Sequence, residues 1–424
     1  MLSGIDRAGS APALLSPAVL MAFFESRAST RKKCGNPCQT WGASMISFSL
    51  TEEQIQLQQT ARKFAKEEIR PISFEYDRKP DPRDCVPMDV VRKGIELGFS
   101  TMTIPSEYGG GGCSALDFAI VCEEVAWGDA GLAGTVCGSG RLGVSPILCV
   151  GTESQKRKWL TEICANPNGA YLTAFALTEP GCGSDAASED PSAGVRTTAK
   201  RTGDSYILKG AKCFISNGGL ASLYVVLAKT DITKGASEGL SAFLVPAGLP
   251  GFSIGKIEDK IGFRLCQNAE LVFENVLLPQ ENLLGSEGDG LRVAMDALCS
   301  DGFLAGAIAV GLARAAFEAA VNYARERVQG GQPILYHQAV GTMLVDMAIL
   351  VEASRNLLWK CCWNLDQVGP SVPLASAAKV FCSDAAHQIT SKAIEVLGGY
   401  GLMKDHCCPN FQGWAHLVPC KSAS

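Results

Sequence analysis

Between residues 170 and 279 the sequence changes texture, and that switch sets the outline of the fold. Short β-favouring runs at 206–208, 213–215, 223–227, 242–245 and 270–273 are separated there by Gly, Asn, Asp and Pro. Strands spaced in this way predict a small sandwich or barrel. On either side the apolar residues recur at helical spacing instead. Thr51 and Gln54 fit a capping box, and Leu57, Ala61, Phe64, Ala65 and Ile69 share one face until Pro71, where the helix is expected to stop. Further helices are expected over 88–97, stopped by Gly98, over 116–126 and over 152–163. After Gly285 long helical periods return at about 290–328, 335–365 and 373–397, broken at 369–372 and closed by Gly398 and Gly399. The expected layout is therefore an all-α unit (47–168), a central β unit (169–283) and a helical bundle (284–405), flanked by an extension (1–46) and a tail (406–424).

Composition narrows what such a chain does. Its 424 residues carry 38 Lys and Arg against 43 Asp and Glu, a net charge of −5 with both signs interspersed, which argues against a nucleic-acid partner. The charged fraction of 19% is low beside 47% hydrophobic residues, as expected when other subunits cover part of the surface. The longest uninterrupted apolar stretch, 303–313, falls short of the roughly 20 residues that cross a bilayer, so no membrane span is expected. Most of the 18 cysteines sit singly in apolar segments (Cys122, Cys149, Cys213, Cys299, Cys382) and read as reduced thiols. No CxxC occurs, and the four histidines share no zinc-like spacing with cysteine pairs, so no metal is expected. Residues 1–46 are rich in Ser, Ala and Arg and poor in acids, as in a mitochondrial transit peptide. A secretory reading of 11–24 is interrupted by Pro12, Ser16 and Pro17.

Several short segments carry chemistry, each with a plain structural alternative. Gly138-Ser139-Gly140-Arg141-Leu142-Gly143 spells GxGxxG, but its surroundings are helical and no βαβ unit frames it, so close-packing glycines or a helix-to-helix turn explain it better than a nucleotide. Leu177-Thr178-Glu179-Pro180-Gly181-Cys182-Gly183-Ser184-Asp185 is a Gly-rich loop that can present N–H and hydroxyl groups to an anion or a polar ring, or simply connect strands. In Lys212-Cys213-Phe214-Ile215-Ser216-Asn217-Gly218 an aromatic and a hydroxyl stand two apart and so share one face of a regular strand. Such a pair can cover a planar ring and donate to it, or be a core Phe and a turn Ser. Arg327 near Pro333, His337 and Gln338, and the Gly398-Gly399 turn, add a guanidinium and a glycine turn to the helical block.

In this order and spacing the segments resemble the acyl-CoA dehydrogenase family of flavoproteins, from about Phe48 to Asp405. The resemblance implies three domains, all-α, β and four-helix, usually assembled as a homotetramer. It implies FAD as cofactor, an acyl-CoA thioester as substrate, trans-2-enoyl-CoA as product and electron-transfer flavoprotein as electron acceptor, in the mitochondrial matrix. By the same resemblance Phe175, Leu177, Thr178 and Ser184 match the strand and loop at the flavin's pyrimidine edge, with Ser184 also beside the substrate. Phe214, Ile215 and Ser216 match the Trp-Ile-Thr segment behind the isoalloxazine. Arg327, Gln338, Gly398 and Gly399 match contacts to FAD across a subunit boundary.

The sequence also departs from the family. Its C-terminal Tyr-Glu-Gly segment, which carries the glutamate base in most members, is not found; after Asp405 the chain reads His406-Cys407-Cys408-Pro409-Asn410. The base that some members carry on the first long C-terminal helix matches Asp301, one methylene shorter. Gly302, Gly330 and Glu395 stand where Arg, Phe and Gln are usual. Two readings stay open: an altered version of an active enzyme, or a scaffold or assembly subunit that keeps the fold without catalysis.

Overall fold

The computed structural model describes residues 49–166 and 169–403, so the expectations made for 1–46 and for 406–424 lie outside the described residues. Helix α1 (Glu52–Phe64) starts at the expected capping box: the Thr51 hydroxyl accepts from the Gln54 N–H, and the Gln54 side chain accepts from the Thr51 N–H. Pro71 does not stop it. A π-helical turn, Ala65–Ile69, follows, and the helix resumes as α2 (Arg70–Asp77). Pro71 thereby falls in the first turn of α2, directly after the π-turn, and the helix passes the proline without breaking.

Helix α3 (Met88–Glu96) ends ahead of Gly98, which takes φ +81°. Helices α4 (Ala115–Gly128), α5 (Ala130–Leu142), α6 (Val144–Val150) and α7 (Glu153–Ala165) complete the first block, the last capped by Thr152 and Gln155. The three glycines of the GxGxxG run lie on α5 and its end, and two of them are sites of contact. A Cβ on Gly140 would stand 2.0 Å from the Ser100 carbonyl oxygen, and one on Gly143 would stand 2.5 Å from the Thr173 Cβ.

The middle block has eight strands: β1 (Thr173–Ala176), β2 (Thr198–Thr202), β3 (Ser205–Ser216), β4 (Leu223–Lys229), β5 (Leu240–Pro246), β6 (Phe252–Ile257), β7 (Asn268–Pro279) and β8 (Leu283–Leu284). They form one sheet in the order β6-β7-β3-β2-β4-β5-β8, with β1 parallel to β4. The sheet folds over so that Leu208 and Phe273 near one end share a core with Phe243 and Val245 near the other. The rings of Tyr206 and Phe243 meet edge-on there at 5.0 Å. Runs 206–208 and 213–215, read as separate strands in the sequence, are the two ends of β3, joined across β-bulges in its pairing with β7. Strand β4 is buried along its whole length: Tyr224 and Val226 face the barrel core, while Leu223, Val225 and Leu227 pack with Val144, Ile147 and Trp159 of the helices.

The third block supplies α8 (Gly290–Glu326), α9 (Gln338–Gln367) and α10 (Val372–Leu397), so three long helices of the expected four lie among the described residues. Helix α8 is long and apolar enough by composition to cross a membrane, yet 78% of its apolar window is buried within the protein. It is the central core helix. The two helical blocks, far apart in sequence, share one hydrophobic core in which Phe118 of α4 meets Phe303 of α8 edge-on at 5.7 Å. Their backbones approach closely at Gly311, where a Cβ would lie 2.4 Å from the Glu123 carbonyl oxygen. The cysteines of the described residues are free thiols, most of them buried, though Cys149 is exposed.

Charge is buried at this junction too. Glu123 and Glu124 of α4 are 3% and 1% exposed. Arg314 of α8 holds Glu124 bidentately at 2.8 and 2.7 Å and reaches Glu123 at 3.0 Å. Arg355 of α9 holds Glu123 at 2.8 Å, and Arg62 of α1 reaches Glu124 at 2.5 Å. Removing one member of such a network leaves an uncompensated buried charge, which costs about 3–5 kcal/mol. Arg314→Leu is therefore expected to lower the unfolding free energy by about that amount, read as a fall in the urea midpoint. A midpoint equal to the wild type's would show that the network contributes nothing to stability.

Candidate functional site

The loop after β1 and the end of β3 are fastened together from beneath. Lys212, fully buried, donates to the Leu177 carbonyl at 2.9 Å and to Glu179 Oε1 at 2.7 Å. Glu179 also accepts from the backbone N–H groups of Arg196 and Thr197. Burial by itself would raise the Glu179 carboxyl, but Lys212 and the bonds from Thr197 outweigh it and hold the carboxyl below its usual range. The Thr178 hydroxyl donates to the Cys213 carbonyl at 2.6 Å, while the Cys213 N–H donates to the Thr178 carbonyl at 3.0 Å. At the far end of the loop Asp185 accepts from the N–H groups of Gly183 and Gly194, which fixes the turn carrying Ser184.

A cavity of about 950 Å³ opens between this loop, α5, α8 and α10. Leu177, Thr178, Ser184, Ser216 and Asp301 all line it, so five of the residues expected from sequence converge on one space. Its other walls are largely apolar, among them Leu142, Leu298, Leu304 and Ile308. Gly138 opens it further, since a Cβ there would meet only the Leu142 side chain, at 3.9 Å.

Asp301 projects from α8 at this wall. Its Oδ1 accepts from Arg141 Nε at 2.7 Å and from the Ser145 hydroxyl at 2.7 Å. Burial raises the Asp301 carboxyl above the ordinary range, and the guanidinium and hydroxyl offset this only in part. A second pocket, of about 510 Å³, brings together Arg327, Gly398 and Gly399 with Tyr323 and Tyr400. Arg327 caps the end of α8, with its guanidinium carbon 5.8 Å from the Tyr400 ring centroid.

Four expected residues line neither pocket. Phe175 packs in the core between the sheet and the helices, and Ile215 is 2% exposed inside the barrel. Gln338 begins α9 on the surface. Phe214 is 61% exposed with φ +59°, at the bulge where three steps of β3, from Lys212 to Ile215, oppose two of β7. The bulge breaks the alternation that would have put Phe214 and Ser216 on one face, so Ser216 lines the cavity without Phe214.

Two departures from the family pattern have packing reasons. Gly330 and Gly331 take φ +60° and +82° in the two-residue turn joining β9 (Val328–Gln329) to β10 (Gln332–Pro333), where such turns favour glycine. A Cβ on Gly302 would stand 3.1 Å from the Ala375 Cβ, so glycine lets α8 and α10 approach. Sequence reading missed Arg141, Lys212 and Glu179. A single charged residue within the otherwise apolar and small-residue α5 was the available sign for Arg141.

The two pockets offer, at separate places on the chain, the kinds of group that a flavin nucleotide needs. The first offers apolar walls with the hydroxyls of Ser184 and Ser216, neither engaged by another described residue, and the second offers a guanidinium beside a glycine turn, suited to a phosphate. Comparison with known proteins agrees. Family profiles of the N-terminal, middle and C-terminal domains of acyl-CoA dehydrogenases match residues 51–167, 174–276 and 288–417. The last match runs past Asp405, where the resemblance seen in the sequence ends. The chain is 37% identical over 370 residues to the short-chain specific acyl-CoA dehydrogenase of Clostridium acetobutylicum, covering 85% of this chain and 92% of that one. It is 37% identical over 359 residues to the mitochondrial short-chain specific enzyme of Rattus norvegicus, covering 85% and 84%. The structure of butyryl-CoA dehydrogenase from Megasphaera elsdenii superposes with a TM-score of 0.83 at 35% identity, over 89% of this chain and 96% of that one. Sequence, fold and site thus agree that this chain belongs to the acyl-CoA dehydrogenase family.

Proposed function

We propose that the protein oxidises an acyl-CoA thioester to the trans-2-enoyl-CoA with FAD as cofactor, in fatty-acid β-oxidation or branched-chain amino-acid breakdown. One observation carries the reading: Thr178, Ser184, Ser216 and Asp301 line a single, largely apolar cavity. When bound, the flavin supplies the acceptor for the two electrons that leave the acyl chain. This chain's own residues bind, orient and deprotonate. The Leu142, Leu298, Leu304 and Ile308 walls receive an acyl tail and exclude water from the reacting carbons. Asp301 takes the α-proton, and a carboxyl raised by burial is the stronger base for that step. Arg327, Gly398 and Gly399 serve the cofactor's phosphates from a neighbouring subunit, with Gln338 beside them, which is the role that calls for a homotetramer. Electron-transfer flavoprotein is the proposed acceptor. The composition of residues 1–46 and the similarity to a mitochondrial enzyme of rat support a place in the mitochondrial matrix.

Anaerobic addition of butyryl-, octanoyl- or isovaleryl-CoA to the purified protein is expected to bleach its oxidised-flavin absorbance band. In Asp301→Asn the rate of bleaching should fall about 10²–10⁴-fold. A flavin band that no substrate bleaches would favour the non-catalytic scaffold, and D301N bleaching at the wild-type rate would remove Asp301 as base. Gly138→Leu, which puts a side chain into the cavity, should raise KM for octanoyl-CoA about tenfold or more while affecting butyryl-CoA less. Equal changes for both substrates would place the acyl tail elsewhere.

A further inference from the structure

We propose that Arg141 is the positioning residue for Asp301, pinning one carboxylate oxygen so that the other alone is free to take a proton in the cavity. The proposal rests on the reading of Asp301 as base and adds the residue that sets its orientation and charge. A purely structural arginine–carboxylate pair is commonly bidentate, with two nitrogens on two oxygens. Here Nε of Arg141 and the Ser145 hydroxyl converge on the same atom, Oδ1, at 2.7 Å each. The remaining guanidinium nitrogens are used to fix the arginine itself: Nη1 donates to the Thr103 hydroxyl at 3.1 Å and Nη2 to the Ser300 carbonyl at 3.0 Å. The rings of Phe118 and Phe303, which touch each other, lie beside it, with centroids 5.8 and 5.2 Å from the guanidinium carbon. With these two bonds independent of Asp301, Arg141 keeps its place when the charge on Asp301 changes. Oδ2 accepts from no described residue, and Asp301 lines the cavity.

The position also answers the shorter reach of aspartate. A base one methylene short tolerates little wandering, since a displacement near 1 Å costs on the order of 100-fold. Two donors on Oδ1 remove that freedom. The other ionisable groups near the pair are Lys379 of α10 and Cys299 of α8, which line the same cavity, Cys149 of α6, whose thiol is 3.8 Å from the Ser300 hydroxyl, Asp366 and Cys362 of α9, and Asp296 on α8 itself. Of all these, only Arg141 brings a positive charge into contact with the carboxylate.

The sign of the effect is fixed. The arginine favours the ionised carboxylate, so losing it raises the carboxyl further and moves the acidic limb of the pH–rate profile to higher pH. The test uses the flavin-loaded enzyme in four forms, Arg141→Gln, Arg141→Lys, Ser145→Ala and Asp301→Asn. Two readouts are taken: the pH profile of kcat, and the infrared band of the protonated Asp301 carboxyl, assigned by its loss in D301N. Both midpoints are expected to rise by about one pH unit or more in R141Q, by less in S145A, and to stay near the wild-type value in R141K. Midpoints unmoved in folded R141Q would overturn the proposal, leaving Arg141 a structural partner. If R141Q cannot be recovered folded, Arg141→Met takes its place, with the same two readouts and the same overturning result. Wild-type turnover by D301N would bring down the base assignment itself, a result distinct from either.

Discussion

Two adjacent glutamates on one buried helix hold this molecule together. Glu123 and Glu124 present their carboxylates to Arg314, Arg355 and Arg62, which arrive from α8, α9 and α1. Buried ion pairs of this kind are poor sources of net stability compared with apolar packing, but they are intolerant of misalignment, because each displaced partner strands a charge. The network therefore fixes the register of α8 against α4. The same register is expressed in the close approach at Gly311 and in the Phe118–Phe303 contact. Slip α8 by one residue and Asp301 would turn by about 100° around the helix axis, away from the cavity.

The β block meets this helical frame through a different device. Lys212 and Glu179, both buried, fasten the loop after β1 to β3 and hold the hydroxyl-bearing segment against the cavity opened by α5, α8 and α10. Helix α5 mediates between the two systems. Its glycines let it approach Ser100 and Thr173, its Gly138 leaves room in the cavity, and its Arg141 crosses to Asp301. A sequence pattern that spells a nucleotide fingerprint thus serves packing and the orientation of a carboxylate.

Much of this is legible in local chemistry. The capping boxes at Thr51 and Thr152 and the positive-φ stop at Gly98 are written in neighbouring residues, and helices begin and end there. Pro71 misleads because a proline is judged by its place in a helix, and the π-turn that resets that place leaves no local mark. Phe214 misleads for a related reason, since a single inserted residue at a bulge changes which side chains share a face. Leu177, Thr178, Ser184, Ser216 and Asp301 are marked out by family resemblance, and they do gather in one cavity. Arg141 is out of reach because its meaning lies in a partner 160 residues away. Burial of a charge is a property of the tertiary fold, and no window along the chain contains it.

Strand β4 pairs with β1, β2 and β5, and every one of its residues is buried. In the native state this makes it the seam between barrel and helices. In a nascent chain the same stretch, Leu223–Lys229, is a sticky apolar ribbon with only one charge, at its end, and no proline or glycine to interrupt it. Its antiparallel neighbour β5 emerges about ten residues later, so a hairpin closes over one edge early, while the parallel partner β1 lies some fifty residues back and must be brought round by a slower, longer-range closure. The other edge stays open to a second chain during that interval. The strand at the centre of the finished protein is thus also an aggregation-prone segment while the protein is being made.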